Sequence, residues 1–174
     1  MARFMKTLPS AGIVRKRLAY NADTGIFTWR GAPCKRLSAN TVAGKTCHYG
    51  YRVIKIDGVG YRAHRLAWLY MTGEQPPMID HVNNDRSDNR WSNLRAATAS
   101  LNMANSRVRT SNPVGLKGVA KLRTKRDRWG ARICRDGEIR DLGRFDSPEL
   151  AHAAYMSAAV DLFGAFANGG SNPE

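Results

Sequence analysis

Cysteine, acidic residues and long apolar runs are all scarce in this chain. Its three cysteines (Cys34, Cys47 and Cys134) are widely spaced and form no C-x-x-C pair. That pattern excludes a disulfide framework and a paired-cysteine zinc knuckle, and predicts reduced thiols in an intracellular protein. No apolar stretch approaches the roughly 18 residues of a membrane span. The basic opening Met1-Ala2-Arg3-Phe4-Met5-Lys6 has no apolar core behind it, so no secretory leader is expected. Acids number 14 against 28 Lys plus Arg, for a net charge of +14 and a pI near 10.4. A field of that sign favours polyanions, DNA foremost, through counterion release. The 174 residues suffice for one medium domain or two small ones, and 43% hydrophobic content is ordinary for a folded protein.

Residues 10 to 19 read as a short helix with Ser10 as N-cap and with Ile13, Val14 and Leu18 turned inward. A turn at residues 21 to 25 leads to a strand at Ile26 to Arg30. The flanking basic residues Arg15, Lys16, Arg17, Arg30, Lys35 and Arg36 read first as a solvated face and second as phosphate contacts. Gly50 to Ile56 alternates as a strand, Asp57-Gly58 makes a hairpin turn, and Tyr61 to Ala63 returns. His64 to Met71 reads as a helix stopped by Gly73, with His64 a hydrogen-bonded residue at its start and outside the catalytic set.

The stretch Ile79-Asp80-His81-Val82-Asn83-Asn84-Asp85 follows a two-proline loop, Gln75-Pro76-Pro77. Asn93 lies twelve residues after His81, and Asn102 nine residues after Asn93. Phosphodiester hydrolysis needs a base that works near neutrality, and histidine is the natural one. It also profits from a hard divalent cation, for which an Asp carboxylate and an Asn carbonyl are suitable ligands. Met78 to Val82 is expected to be a strand, Asn83 to Ser92 a compact loop, and Asn93 to Thr98 a second strand. A helix capped by Thr98 or Ser100 then carries Asn102 in its first turn. Asp85 and Asp88 read as turn formers outside the metal shell. Singly, Asp80-His81 would be a structural pair and Asn93 and Asn102 caps or turn residues; their joint spacing points to a metal-dependent site.

The run His64-Arg65-Leu66-Ala67-Trp68, with Ile79-Asp80-His81, Asp88-Asn89-Arg90, Asn93-Leu94-Arg95 and Asn102, resembles the HNH homing endonucleases of phages. The resemblance spans roughly residues 20 to 106 and implies a ββα-metal active site. By it, Asp80 is a metal ligand, His81 the general base, Asn93 the residue that braces the loop, and Asn102 a second metal ligand. It further implies one Mg²⁺ or Mn²⁺ per active site, no zinc, double-stranded DNA as substrate, and a phage-encoded protein in the host cytoplasm.

After the polar, basic run from Ser106 to Pro113 the pattern changes. Val119 to Arg123, Arg128 to Arg135 and Glu138 to Phe145 read as strands, with Asp136-Gly137 as a turn. Ser147-Pro148-Glu149 then opens a helix, with Ala151, Ala154, Tyr155, Ala158, Ala159 and Leu162 as its inward stripe and Gly164 as its stop. Gly118-Val119, Trp129-x-Ala131-x-Ile133, Leu142-Gly143-x-Phe145 and Ala151 to Tyr155 make residues 113 to 168 similar to the ethylene-response-factor (APETALA-type) DNA-binding domain. In that family a three-stranded sheet enters the major groove. Ala120 and Asp141 depart from the family pattern, so base preference does not transfer. Residues 115 to 135 hold eight Lys or Arg against one acid, Asp127. Lys121, Arg123, Arg128, Arg132 and Arg135 are the expected DNA contacts, and Trp129 is expected to pack against the sheet.

The expected architecture is α+β: an HNH nuclease domain at 1–106, a linker at 107–112, a three-stranded antiparallel sheet packed on one helix at 113–168, and a tail at 169–174. The expected activity is nicking of double-stranded DNA by a monomer. The competing reading is a non-catalytic DNA-binding regulator on an HNH scaffold. An RNA-binding protein is weaker, since no aromatic single-strand platform is present.

Overall fold

The computed structural model describes residues 8–34, 36–123 and 128–170. Lys35, Lys125, Arg126, Asp127 and the basic opening of the chain lie outside the described residues. The chain divides into two compact units, Met1–Ala96 and Ala97–Glu174, and its mixture of small antiparallel sheets and helices is α+β.

In the first unit, α1 (Ala11–Arg17) starts at Ser10, whose hydroxyl accepts from the Ile13 N–H at 3.3 Å. Val14 is buried, but Ile13 is 44% exposed, against expectation. The helix is only seven residues long, and Leu18 already opens a strand, β1 (Leu18–Asn21). β1 pairs antiparallel with β2 (Ile26–Trp29), a pairing that strand reading from Ile26 alone did not anticipate. The turn between them is closed by Asn21, whose side-chain oxygen accepts from the N–H groups of Asp23 and Thr24.

Gly25 at the end of this turn has φ +70°, and a Cβ there would lie 2.3 Å from the Arg90 nitrogen and the Asn89 carbonyl carbon. Only glycine permits so close an approach of two backbones. Tyr20 Oη donates to the Asn89 carbonyl at 2.7 Å, and the Trp91 N–H donates to the Ala22 carbonyl at 2.9 Å. The β1–β2 hairpin thus buttresses the loop that follows Asp80-His81.

A second sheet runs in the order β3 (Lys45–Thr46), β4 (Arg52–Ile56), β5 (Val59–Arg62). The β4–β5 turn has positive φ at both Asp57 (49°) and Gly58 (81°), the tight hairpin geometry that an Asp-Gly pair favours. α2 (Ala63–Thr72) follows at once and ends at Gly73 in the left-handed conformation. Arg65 from α2 donates to the carbonyls of Pro76 and Pro77, tying down the two-proline loop. β6 (Met78–His81) and β7 (Leu94–Ala97) then form a two-stranded sheet, joined by the loop and a 3-10 turn at Trp91–Asn93. Val14, Leu18, Phe27, Ile54 and Leu66 form a fully buried core beneath these elements. Each such side chain contributes about 1.5–3 kcal/mol on burial.

The second unit begins with α3 (Ala99–Asn105), capped by Thr98, whose hydroxyl accepts from the Leu101 N–H at 3.2 Å. At its other end the Ser106 N–H and hydroxyl donate to the Met103 carbonyl, and Lys117 Nζ donates to the carbonyls of Met103, Ala104 and Ser106, at a terminus where intrahelical donors run out. Burial lowers the Lys117 pKa to about 8. Strands β8 (Val119–Leu122), β9 (Arg128–Arg135) and β10 (Glu138–Phe145) form an antiparallel sheet in the order β10-β9-β8, interrupted by a register shift between Asp141 and Gly143.

α4 (Pro148–Phe163) is capped by Ser147 and lays Ala151, Tyr155, Ala159 and Phe163 inward. Gly118, at φ +75°, lets the Tyr155 ring pack directly on the backbone; a Cβ there would sit 2.0 Å from the ring. Ala104 of α3 shares a core with Ile133, Tyr155, Ala159 and Phe163, so α3 packs within the second unit. Among the described residues no helix is long and apolar enough to cross a membrane.

Candidate active site

β6 ends on Asp80 and His81, which are 4% and 6% exposed. Strand alternation sends their side chains to opposite faces, and each meets a different partner. The Asp80 carboxylate receives the Arg95 guanidinium from β7, with Nε at 2.9 Å and Nη2 at 2.8 Å from Oδ2. His81 meets two rings instead. The His64 ring centroid is 5.0 Å away and edge-on, and that of Tyr51 is 6.2 Å away.

Asn93 is buried and clamps the intervening loop. Its carbonyl accepts from the Val82 N–H (2.9 Å), and its side-chain oxygen accepts from the Asn83 N–H (3.0 Å). Its amide nitrogen donates to Asn83 Oδ1 and to the Asp88 carbonyl, both at 2.9 Å. The loop's own carboxylates are occupied by local hydrogen bonds. Asp85 accepts from the Ser87 N–H and hydroxyl, while Asp88 takes Arg90 and the Asn83 amide. The Arg90 hydrogen bond holds the Asp88 carboxyl below the usual carboxylate range, and the Ser87 hydroxyl does the same for Asp85.

Burial pulls the His81 pKa below the ordinary 6.5, opposed by hydrogen bonding with Asn89 and by the charges of Asp80, Asp85 and Asp88. His81 is therefore neutral at pH 7, the form that can accept a proton. His64 is driven well below 6.5, first by burial and then by His81, Arg62 and Arg65. It does stand at the start of α2, as expected, but its Nδ1 is buried with no hydrogen-bond partner among the described residues.

This has a consequence for stability. An imidazole whose folded pKa lies below its unfolded value binds fewer protons when folded, so stability falls as pH drops below about 6.5. The decline continues down to the folded pKa, at up to about 1.4 kcal/mol per pH unit for each such histidine. Urea midpoints measured on both sides of that value are expected to fall on the acid side, and His64→Phe is expected to remove its share of the decline.

Asn102 lies on α3 in the second unit, half-exposed, with its N–H donating to the Thr98 carbonyl at 3.0 Å. No cluster of three or more His, Cys, Asp or Glu occurs among the described residues. A carboxylate and an amide carbonyl nevertheless fit a Mg²⁺-type ion, which takes few protein ligands and keeps water and substrate phosphate around it. The same pair lacks the thiolates and multiple imidazoles that zinc prefers. Arg95 belongs to the Asn93-Leu94-Arg95 run, whose spacing gives it no role of its own. Its pairing with Asp80 depends on β6–β7 strand pairing, which linear spacing does not display.

Of the five basic residues expected at the DNA interface, four fall on two faces of the second unit's sheet. Lys121 pairs in register with Trp129, on the side covered by α4, and its ammonium lies 5.7 Å from the Trp129 ring centre. Arg135 shares that side and donates to the Leu162 carbonyl at 2.9 Å. Arg128 and Arg132 occupy the opposite, open face, paired with Asp146 and Asp141 respectively. Arg123 is exposed just beyond β8.

Residues 61–104 match the family model described as HNH endonuclease. The match covers about a quarter of the chain, includes Asp80, His81, Asn93, Arg95 and Asn102, and supports a nuclease as the class of protein. No curated protein and no solved structure matches the chain.

Proposed function

We propose that the chain is a divalent-metal-dependent homing-type endonuclease that hydrolyses phosphodiester bonds in double-stranded DNA, acting as a monomer that nicks. The arrangement around His81 carries this reading. A neutral, buried histidine stands beside an arginine-held aspartate, under a loop clamped by Asn93, inside the segment that matches HNH endonucleases.

In this mechanism His81 takes a proton from the attacking water. Asn93 keeps the loop, and with it the end of β6, in place. Asp80 and Asn102 are the residues that would hold Mg²⁺ or Mn²⁺, an assignment that rests on the motif spacing; Arg95 fixes the orientation of the Asp80 carboxylate. A bound ion of this kind supplies Lewis-acid stabilisation of the charge on the departing oxygen.

Supercoiled plasmid incubated with the protein in Mg²⁺ or Mn²⁺ is expected to convert to open circles, and EDTA to abolish the conversion. DNA shifted in a gel but uncut in any divalent ion would replace this reading with that of a DNA-binding regulator.

We assign the anchoring role to the second unit's three-stranded sheet, on its likeness to ethylene-response-factor domains and its basic first hairpin. Replacing Arg123 and Arg128 together by Ala is expected to weaken duplex binding and lower the slope of log K against log salt by about 2. The exposed pair between Arg128 and Asp146 does not prevent this, since surface ion pairs are weak enough for a phosphate to displace. An unchanged slope would remove the sheet as the anchor.

A further inference from the structure

We propose that Arg62 and Arg86, both stacked on Tyr51, form a phosphodiester-holding site beside His81. The proposal rests on the nuclease reading for its substrate and adds a recognition element that the HNH match does not itself specify.

Tyr51 directly precedes β4 and is half-buried, with His64 at 5.3 Å and His81 at 6.2 Å between ring centres. Two guanidiniums from distant parts of the chain converge on that ring. The Arg62 carbon Cζ, at the end of β5, lies 4.2 Å from the ring centre, and that of Arg86, in the loop after β6, lies 5.1 Å from it. Both arginines are exposed, and among the described residues neither is ion-paired with a carboxylate. Arg86 spends one donor on the Tyr49 carbonyl, at 3.3 Å.

The neighbouring acids are committed elsewhere: Asp85 to Ser87, Asp88 to Arg90 and Asn83, and Asp80 to Arg95. Two like charges over one ring, with no carboxylate paired to either among the described residues, make a site that an anion completes. Cation–π stacking orients planar guanidiniums while leaving their N–H edges directed outward. Those edges match the two non-bridging oxygens of a phosphodiester, and such charge-assisted hydrogen bonds are the strong ones. The position beside His81 makes the occupant a backbone phosphate of the strand being cut.

The first measurement is duplex binding across a salt series in a His81→Ala background, where no cleavage intervenes. Arg62→Ala and Arg86→Ala are each expected to lower the salt slope by about 1, and Arg86→Lys, which keeps the charge, to preserve it. With His81 intact, Arg86→Ala is expected to lower kcat/KM by about ten- to a hundredfold, and guanidinium ion in the buffer to restore part of the loss.

Salt slopes unmoved in both Ala variants would overturn the proposal. So would a lowered melting temperature with slope and rate unaltered, the signature of a packing role alone. If the parent protein cuts no DNA in any divalent ion, the nuclease reading falls. The salt slopes still decide whether the two arginines hold phosphate.

Discussion

Cleavage of supercoiled DNA by His81→Ala is expected to fall by a factor on the order of 10²–10⁴, with affinity for uncut duplex unchanged. The expectation follows from what His81 touches. It is a buried ring of the first unit, beside the rings of His64 and Tyr51 and hydrogen-bonded with Asn89, whereas the basic sheet assigned to duplex anchoring belongs to the second unit. Binding and turnover should therefore separate. The size of the effect comes from losing a base that is already neutral at pH 7, leaving bulk water to accept the proton. His81→Ala also opens a cavity against His64, so the comparison needs a melting curve beside it. A variant that cuts like the parent protein would sink the assignment of His81 as base.

The second large effect concerns stability before activity. Arg95→Met is expected to destabilise the protein by about 3 kcal/mol, because it removes the guanidinium that faces a carboxylate only 4% exposed. A buried ion left without its counter-charge costs far more than the pair was worth. Adding Asp80→Asn to Arg95→Met should therefore return part of the lost stability, a coupling that a double-mutant cycle in urea measures directly. Activity should not return with it, since the amide no longer offers a carboxylate to a cation. If the double variant were no more stable than Arg95→Met alone, the Asp80–Arg95 pair would not be the feature that Arg95 supports.

Much of the local structure was legible in the chain because its signals are local. Asp57-Gly58 can form the positive-φ turn it does form, Gly73 can close α2, and Ser147-Pro148 can open α4, whatever the rest of the molecule does. β1 was not legible. Four residues directly after a helix carry no periodicity of their own, and they become a strand only by pairing with β2. The site divides in the same way. The spacing of Asp80, His81 and Asn93 is visible along the sequence. Arg95 acquires a partner only through the pairing of β6 with β7, and Tyr51, Arg62 and Arg86 meet only when a sheet edge and a loop fold together. Within β9, parity alone separates Arg128 and Arg132 from Arg135. Placing Lys121 needed the cross-strand register that sets it opposite Trp129.

The hold of Lys117 on the end of α3 bears on how such a chain could be shuffled with others. The polar run after Ser106 offers a convenient seam for joining this chain to another. A crossover there would bring in a foreign sequence without the ammonium that bonds the Ala104 and Ser106 carbonyls, and without the side chains that cover Ala104. The inherited helix would lose its far end, and Asn102 with it. A viable chimera is expected to join its parents ahead of Thr98, near the Ala96–Ala97 division, so that the helix travels with the partner that holds it.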